Sequence, residues 1–202
     1  MTSPRPTRTP SPANVARKLP TFLRDDEPER LLAATTTARD RVLLMTGLYL
    51  GLRVSEICKL QIEDVDLRRR VAFVREGKGM KDRAIPIPKP FAPILRGWIG
   101  GRQTGYVFPS PRGGRLTNRA VQKLVKRMAA KAGLREAGKP RKYHPHKLRH
   151  AYATRLLQTG ADIKEVQDLL GHASLQTTMV YVHSTPERLA SAVDRLFEGP
   201  SK

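Results

Sequence analysis

The chain carries, in a few short clusters, residue types suited to chemistry on a phosphodiester. Arginines bind phosphate oxygens in bidentate fashion, and histidines exchange protons near neutral pH. A tyrosine hydroxyl can attack phosphorus and hold it covalently. The candidate residues are Arg53, Lys78, His146, Arg149, His172 and Tyr181. Together they meet the needs of phosphodiester cleavage without a metal ion.

The first cluster contains His146 and Arg149, which are three residues apart. On a helix this spacing places both side chains on one face, so both can point at one phosphate. An ordinary polar helix start is the alternative. His146 and His150 are four residues apart and could instead bind a metal ion together. The zinc-protease motif, however, requires glutamate where this chain has Lys147. The cationic surroundings also disfavour a divalent ion, so we predict no metal ligand and no cofactor.

A second pair, Arg53 and Glu56, has the same spacing. A surface ion pair is the alternative, and spacing alone favours it. Arg53, however, follows a glycine break at Gly51, at the end of a predicted buried helix. Such a break places side chains in a cleft, where a carboxylate can orient an arginine or a neighbouring histidine. We therefore predict a supporting role for Glu56.

The remaining candidates have weaker local signals. Lys78 lies at the predicted tip of a hairpin, where it can reach a DNA minor groove or protonate a leaving oxygen. It can equally be a solvated turn residue, and Lys81 competes for the same role. His172 follows a predicted helix end. Tyr181 lies in an amphipathic segment where a half-buried core aromatic is the alternative, and His183 is interpreted as a surface residue.

The charge balance points to a polyanionic partner. Among 202 residues, 38 Lys and Arg against 18 Asp and Glu give a formal net charge of +20 and a pI of about 10.9. Nucleic acid is the leading partner, although a merely basic protein or a ribosomal-type binder also fits the charge. No apolar run approaches a membrane span, and no signal-peptide core is present at the N-terminus. The single cysteine, Cys58, excludes an internal disulfide framework and is expected to be buried. We predict a cytoplasmic, nucleoid-associated protein that does not bind membranes.

The pattern along the chain predicts an α+β fold that is mostly α-helical, with a small antiparallel β-hairpin or sheet on one edge. Residues 1–20 are predicted to form a flexible basic arm rich in Pro, Ser and Thr, residues 21–197 the folded domain and residues 198–202 a disordered tail. A helix is expected from Asp25, with further helices predicted at 38–50, 54–60, 89–99, 117–131, 146–159, 162–170, 174–183 and 186–197. Strands are predicted at 71–75, 83–87 and 106–108, and a cationic loop at 139–145.

Order and spacing of these clusters resemble those of the tyrosine recombinases, the integrase and Xer group. The matching segments are residues 46–56, 77–79, 146–150, 169–172 and 177–181. The resemblance covers about residues 21–197 and is specific because the boxes occur in combination. It implies the tyrosine recombinase catalytic-domain fold and site-specific recombination of double-stranded DNA, by a homo-oligomer that is a tetramer in synapsis and a monomer when free.

The resemblance also implies a role for each residue. Tyr181 would form a 3′-phosphotyrosyl bond and free a 5′-hydroxyl. Arg53 and Arg149 would clamp the non-bridging oxygens, and Lys78 would protonate the departing oxygen. His146 would assist proton transfer at the tyrosine. His172 would hydrogen-bond the phosphate, and Glu56 would support Arg53 and His146.

Two alternative functions accompany this interpretation. A type IB topoisomerase-like enzyme shares the chemistry, and a non-catalytic DNA-binding regulator could share the scaffold. Most relatives carry an N-terminal clamp domain. This chain is therefore either a recombinase that consists of the catalytic domain alone, a type that the fimbrial phase-variation invertases resemble, or a shortened form of a longer recombinase. An amphipathic last helix carries Leu189, Val193, Leu196 and Phe197. Its periodicity allows packing on its own domain or on a neighbouring protomer equally.

Overall fold

A computed structural model describes residues 26–75, 82–136, 139–140 and 143–171. The predicted arm (1–20), the hairpin tip with Lys78 and Lys81, the predicted helices 174–183 and 186–197, and the predicted tail (198–202) lie outside the described residues. None of the helices in the described part of the chain combines the length and apolar character needed to span a bilayer.

The described residues form seven α-helices at nearly the predicted positions. They are α1 (Glu27–Ala33), α2 (Ala38–Leu50), α3 (Val54–Lys59), α4 (Ala92–Ile99), α5 (Asn118–Lys131), α6 (Pro145–Gln158) and α7 (Ile163–Leu170). Side-chain caps fix several of the starts. Thr37 and Thr117 accept hydrogen bonds from the backbone of the first turns of α2 and α5, and Asp162 does so for α7. The sequence could show these starts because the cap residues are local signals.

A three-stranded antiparallel sheet lies beside the helices, with the order β1 (Val65–Asp66), β2 (Val71–Val74) and β3 (Arg83–Pro86). The predicted pair of strands is confirmed, and a 3₁₀ turn at Ile62–Asp64 leads into the additional strand β1. In the register of β2 with β3, Val74 pairs with Arg83. This pairing fixes the start of β3 opposite the end of β2.

Three expectations were wrong in detail. Residues 106–108 do not form a strand: Tyr106 makes a single bridge to Gln61, because the chain after Gln61 turns at once into the 3₁₀ helix. The helix predicted from residue 89 begins at Ala92, since prolines interrupt its expected first turn. The predicted loop 139–145 begins with a strand, because β5 (Lys139–Pro140) pairs with β4 (Arg135–Glu136). A two-residue separation is typical of such tight hairpins.

The core is built around α2, which is buried on nearly all sides and packs against α6. Gly47 makes the close approach possible, because a Cβ there would lie 2.9 Å from Leu148 Cδ1. Cys58 is buried in the same core, as predicted, and burial raises the pKa of its thiol. The tight contact holds the start of α6 against the end of α2.

A buried polar contact joins α1 to the segment before α6. The Tyr143 hydroxyl donates to Glu27 Oε2 at 2.7 Å, and both residues are buried. Tyr143→Phe should lower the free energy of unfolding by about 1–3 kcal/mol, because a buried carboxylate loses a donor. Urea denaturation measures the effect. Tyr49→Phe is the control, since the Tyr49 ring packs on Phe91 and a change within about 0.5 kcal/mol is expected. Equal midpoints for wild type and Tyr143→Phe would contradict the assigned contact.

Candidate active site

The end of α2 is shaped by Gly51, which adopts φ = 61° and breaks the helix as predicted. Only glycine fits this position well, because a Cβ would lie 2.3 Å from Cδ1 of Tyr152 and because the left-handed region disfavours other residues. The turn directs Arg53 away from the helix axis. It also leaves the Gly51 carbonyl facing α6.

Arg53 and Glu56 are in direct contact, so the predicted pair is formed. Arg53 Nη1 donates to Glu56 Oε1 at 2.8 Å, and the Arg53 backbone N–H donates to Glu56 Oε2 at 2.7 Å. The Glu56 side chain is only 8% exposed, whereas that of Arg53 is 27% exposed. The contact is therefore not an ordinary surface ion pair.

Arg149 reaches the same carboxylate from α6. Its Nη1 donates to the Gly51 carbonyl at 2.8 Å and lies 3.9 Å from Glu56 Oε2. Its Nη2 donates to the Leu170 carbonyl. The Arg149 side chain is 5% exposed, so its position is set by the protein interior. Two arginines far apart in the sequence thus meet at one carboxylate, and their clamping of one phosphate stays a prediction.

A third arginine, which no sequence motif indicated, completes the group. Arg83 at the start of β3 donates from Nη2 to Glu56 Oε2 at 2.8 Å and from Nη1 to Glu56 Oε1 at 3.1 Å. We call Arg53, Arg83 and Arg149 around Glu56 the arginine cluster. One signal could have revealed Arg83: it alternates with Ile85 and Ile87, which are both buried, so it lies on the inward face of the strand.

The C-terminal end of α7 faces the cluster with three successive carbonyls. Those of Leu169, Leu170 and Gly171 accept hydrogen bonds from Arg83, Arg149 and Arg53, respectively. The last carbonyls of a helix lack intrahelical partners and carry partial negative charge, so cations stabilise them. Gly171 ends the helix at φ = 63°, as predicted. The arginine cluster therefore fixes the segment that directly precedes His172.

The histidines at the start of α6 lie in different surroundings. His146 is exposed in the first turn, whereas Arg149 is buried one turn later. Their convergence on one phosphate stays a prediction. Among the described residues no group of three or more His, Cys, Asp or Glu side chains is arranged to hold a metal ion. Lys78, His172 and Tyr181 lie outside the described residues, so their roles also stay predictions.

His150 should make stability depend on pH. Burial, followed by the charges of His146, Arg149 and Lys147, lowers its pKa from 6.5 to about 4. Below about pH 6.5 the unfolded chain binds a proton that the folded chain does not, so the free energy of unfolding falls as the pH drops towards 4. After a discount for partial exposure, we expect a loss of roughly 1–1.5 kcal/mol between pH 7 and pH 5.

Urea denaturation of His150→Gln at both pH values measures this contribution. The variant should lose a clearly smaller part of its stability between pH 7 and pH 5 than the wild type does. His144→Gln is the matched control, because His144 is exposed just before α6, and it should keep the wild-type dependence. An unchanged pH dependence in His150→Gln would contradict the assignment.

Comparison with known proteins places this chain in a family. The model of the phage integrase family matches residues 21–188. The chain therefore belongs to the phage integrase family, and its described residues have the fold of the tyrosine recombinase catalytic domain, which confirms the predicted fold class.

Individual relatives support this family assignment. The tyrosine recombinase XerA of Thermococcus kodakarensis is 42% identical over 191 residues, which cover 91% of this chain and 65% of that protein. The crystal structure of XerA recombinase matches with a TM-score of 0.76 at 32% identity, over 91% of this chain and 67% of that one. XerH site-specific recombinase bound to difH substrate matches with a TM-score of 0.70 at 32% identity, over 88% of this chain and 55% of that one. This chain thus spans about two thirds or less of the length of these relatives.

Proposed function

We propose that this protein is a site-specific DNA recombinase that cleaves and rejoins DNA strands through a covalent phosphotyrosyl intermediate. The observation that carries the proposal is the convergence of Arg53 and Arg149 on buried Glu56, within a fold shared with tyrosine recombinases. Two guanidiniums held by one carboxylate are preorganised for the oxygens of a single phosphate. The relative XerH has been solved bound to difH substrate in a pre-cleavage complex and to palindromic difH substrate in a post-cleavage complex, which supports DNA as the substrate.

In the proposed reaction, the Tyr181 hydroxyl oxygen attacks the phosphorus of one DNA strand. A bond forms between that oxygen and phosphorus, and the bond from phosphorus to the 5′-oxygen breaks. His146 assists removal of the tyrosine proton, and Lys78 gives a proton to the departing 5′-oxygen. Because the phosphotyrosyl ester keeps the bond energy, attack by a 5′-hydroxyl reverses the step with no need for ATP or a metal ion.

Charge accumulates on the non-bridging oxygens in the transition state. Arg53 and Arg149 neutralise that charge, and His172 donates a hydrogen bond to the same phosphate. Glu56 keeps the guanidiniums in place. The role of Glu56 is therefore orientation, and its contribution comes through the arginines.

The proposed partner is double-stranded DNA, bound by a homo-oligomer that is a tetramer when two sites are paired. Helix α5 supports this proposal, because one face is buried in the core while the other exposes Arg119, Lys123 and Lys126. Cations on a helix face suit the phosphates flanking a groove. With the net charge of +20, binding should weaken steeply as salt rises. We place the protein in the cytoplasm at the nucleoid, with residues 21–197 as the catalytic domain and residues 1–20 as a basic arm.

Trapping of the covalent complex tests the proposal. The protein is incubated in EDTA with nicked fragments of chromosomal DNA, so that a short released strand diffuses away and rejoining fails. A covalent adduct resistant to denaturant is expected, and sequencing of the attached strand should give one defined site. Attachment at many unrelated sequences with relaxation of any plasmid would instead indicate a topoisomerase. Tight specific binding without an adduct would indicate a regulator.

A further inference from the structure

Arg83 is buried at the arginine cluster, with its guanidinium directed at Glu56 and at the end of α7. It is the first residue of β3, its side chain is 8% exposed, and it shares the inward face of the strand with Ile85. Burial of a guanidinium is costly unless hydrogen bonds satisfy it. Its environment must therefore supply specific acceptors.

Those acceptors occupy all three nitrogens of the guanidinium. Nη1 and Nη2 form a bidentate pair with Glu56, at 3.1 and 2.8 Å. Nε donates to the Leu169 carbonyl at 3.0 Å. The planar fork of arginine can join a carboxylate to a helix end in this way, whereas the single ammonium of lysine lacks this fork geometry.

Glu56 is consequently shared between two arginines at each oxygen. Oε1 accepts from Arg53 and from Arg83, and Oε2 accepts from the Arg53 backbone and from Arg83. Without Arg83, the carboxylate would keep its bonds from Arg53, and its charge would be directed more strongly at Arg53 and Arg149. It would then compete with the substrate phosphate for the two guanidiniums that have to bind it.

Arg83 also connects two segments that flank the site. The segment that carries Lys78 lies in the sequence between β2 and β3, and the Leu169 carbonyl lies at the end of α7, just ahead of His172. The Arg83 side chain thus links the start of β3 to the Glu56 carboxylate and to the end of α7, the helix that precedes His172.

We propose that Arg83 is a positioning residue for strand cleavage: it balances the charge of Glu56 and holds the carboxylate, the start of β3 and the end of α7 in one arrangement. This inference rests on the proposed function. It deepens that function by adding a residue that acts through Arg53 and Arg149 and does not itself touch the DNA.

Single-turnover cleavage of a nicked substrate, with DNA affinity measured in parallel, tests the role. Arg83→Gln should cleave about 10–100-fold more slowly, while its dissociation constant for DNA changes less than about threefold. The cleavage rate of Arg83→Lys should lie between those of Arg83→Gln and the wild type, because lysine restores the positive charge but not the planar fork of the guanidinium. Arg69→Gln removes the same charge from a side chain that is 83% exposed, and it should cleave at the wild-type rate.

A double-mutant cycle with Glu56→Gln separates positioning from general loss of stability. Arg83→Gln and Glu56→Gln break the same contact, so the double variant should be no slower than the slower single variant. Losses that multiply would overturn the proposal. Equal losses of binding and cleavage in Arg83→Gln would also overturn it, as would an unchanged cleavage rate.

A second measurement does not depend on activity. In the free protein, NMR should show slow hydrogen exchange for the side-chain N–H groups of Arg53 and Arg149, because they donate to buried acceptors. Exchange should become faster in Arg83→Gln and stay unchanged in Arg69→Gln. If the wild type forms no adduct, the proposed function fails, while this measurement still decides the role of Arg83. Unchanged exchange in folded Arg83→Gln would overturn the role.

Discussion

Replacement of Tyr181 by phenylalanine should abolish the covalent protein–DNA adduct while leaving DNA affinity close to that of the wild type. The phenol oxygen is the only atom removed, and it is the proposed nucleophile. Without it no phosphotyrosyl bond can form, so we expect a loss of roughly 10⁴-fold or more in cleavage. Affinity depends mainly on cationic contacts to phosphates, which the substitution keeps. Gel shift under native and denaturing conditions measures both quantities on one nicked substrate.

Tyr152→Phe is the matched control for this experiment. Among the tyrosines in the described part of the chain, Tyr152 has the clearest claim as a rival nucleophile, since the charges of Arg83 and Arg149 act on it. Burial has the larger effect and raises the pKa of its hydroxyl, which disfavours the phenolate. Tyr152→Phe should keep its adduct. An adduct that persists in Tyr181→Phe and disappears in Tyr152→Phe would show that the nucleophile is misassigned.

Most helices could be predicted from the sequence because their signals are local. Caps at Thr37 and Thr117 mark two starts, and glycines at 51 and 171 mark two ends, each in the left-handed conformation. Such signals act within one turn and need no knowledge of the rest of the fold. The short strands were less predictable. The segment at Tyr106 makes only one bridge, since strand pairing depends on a partner that the local sequence does not specify.

The candidate site likewise contains residues that local sequence signals indicate and one residue that they do not. Arg53 with Glu56 could be predicted because they are three residues apart, and Arg149 because its box resembles that of a known family. Arg83 was missed because its contacts with Glu56 and Leu169 span 27 and 86 residues of sequence. Alternation with buried Ile85 gave the inward direction of the side chain, but no local pattern could give its acceptor. An arginine at an inward strand position therefore indicates a buried anion, whose identity only the fold supplies.

Arg149→Ala should lower the rate of strand cleavage far more than it lowers DNA affinity. Arg149 is held by the carbonyls of Gly51 and Leu170, so its guanidinium is fixed before substrate arrives. A preorganised donor contributes most when charge develops on the phosphate, and its loss should slow cleavage about 10²–10³-fold. Affinity should fall less than about tenfold, because many other cations contact the DNA backbone.

Stability has to be separated from catalysis in this variant. Loss of the Arg149 contacts to two buried carbonyls should also reduce the free energy of unfolding by about 1–3 kcal/mol, so rates are compared well below the unfolding temperature. Arg155→Ala is the matched control, because Arg155 lies on the same helix with its side chain 54% exposed, and it should cleave normally. Equal losses of affinity and cleavage rate in Arg149→Ala would show that Arg149 only binds the phosphate and does not stabilise the transition state. A large loss confined to cleavage would show that the Arg149 guanidinium stabilises the transition state. It would do so from the position in which α2, α6 and α7 hold it.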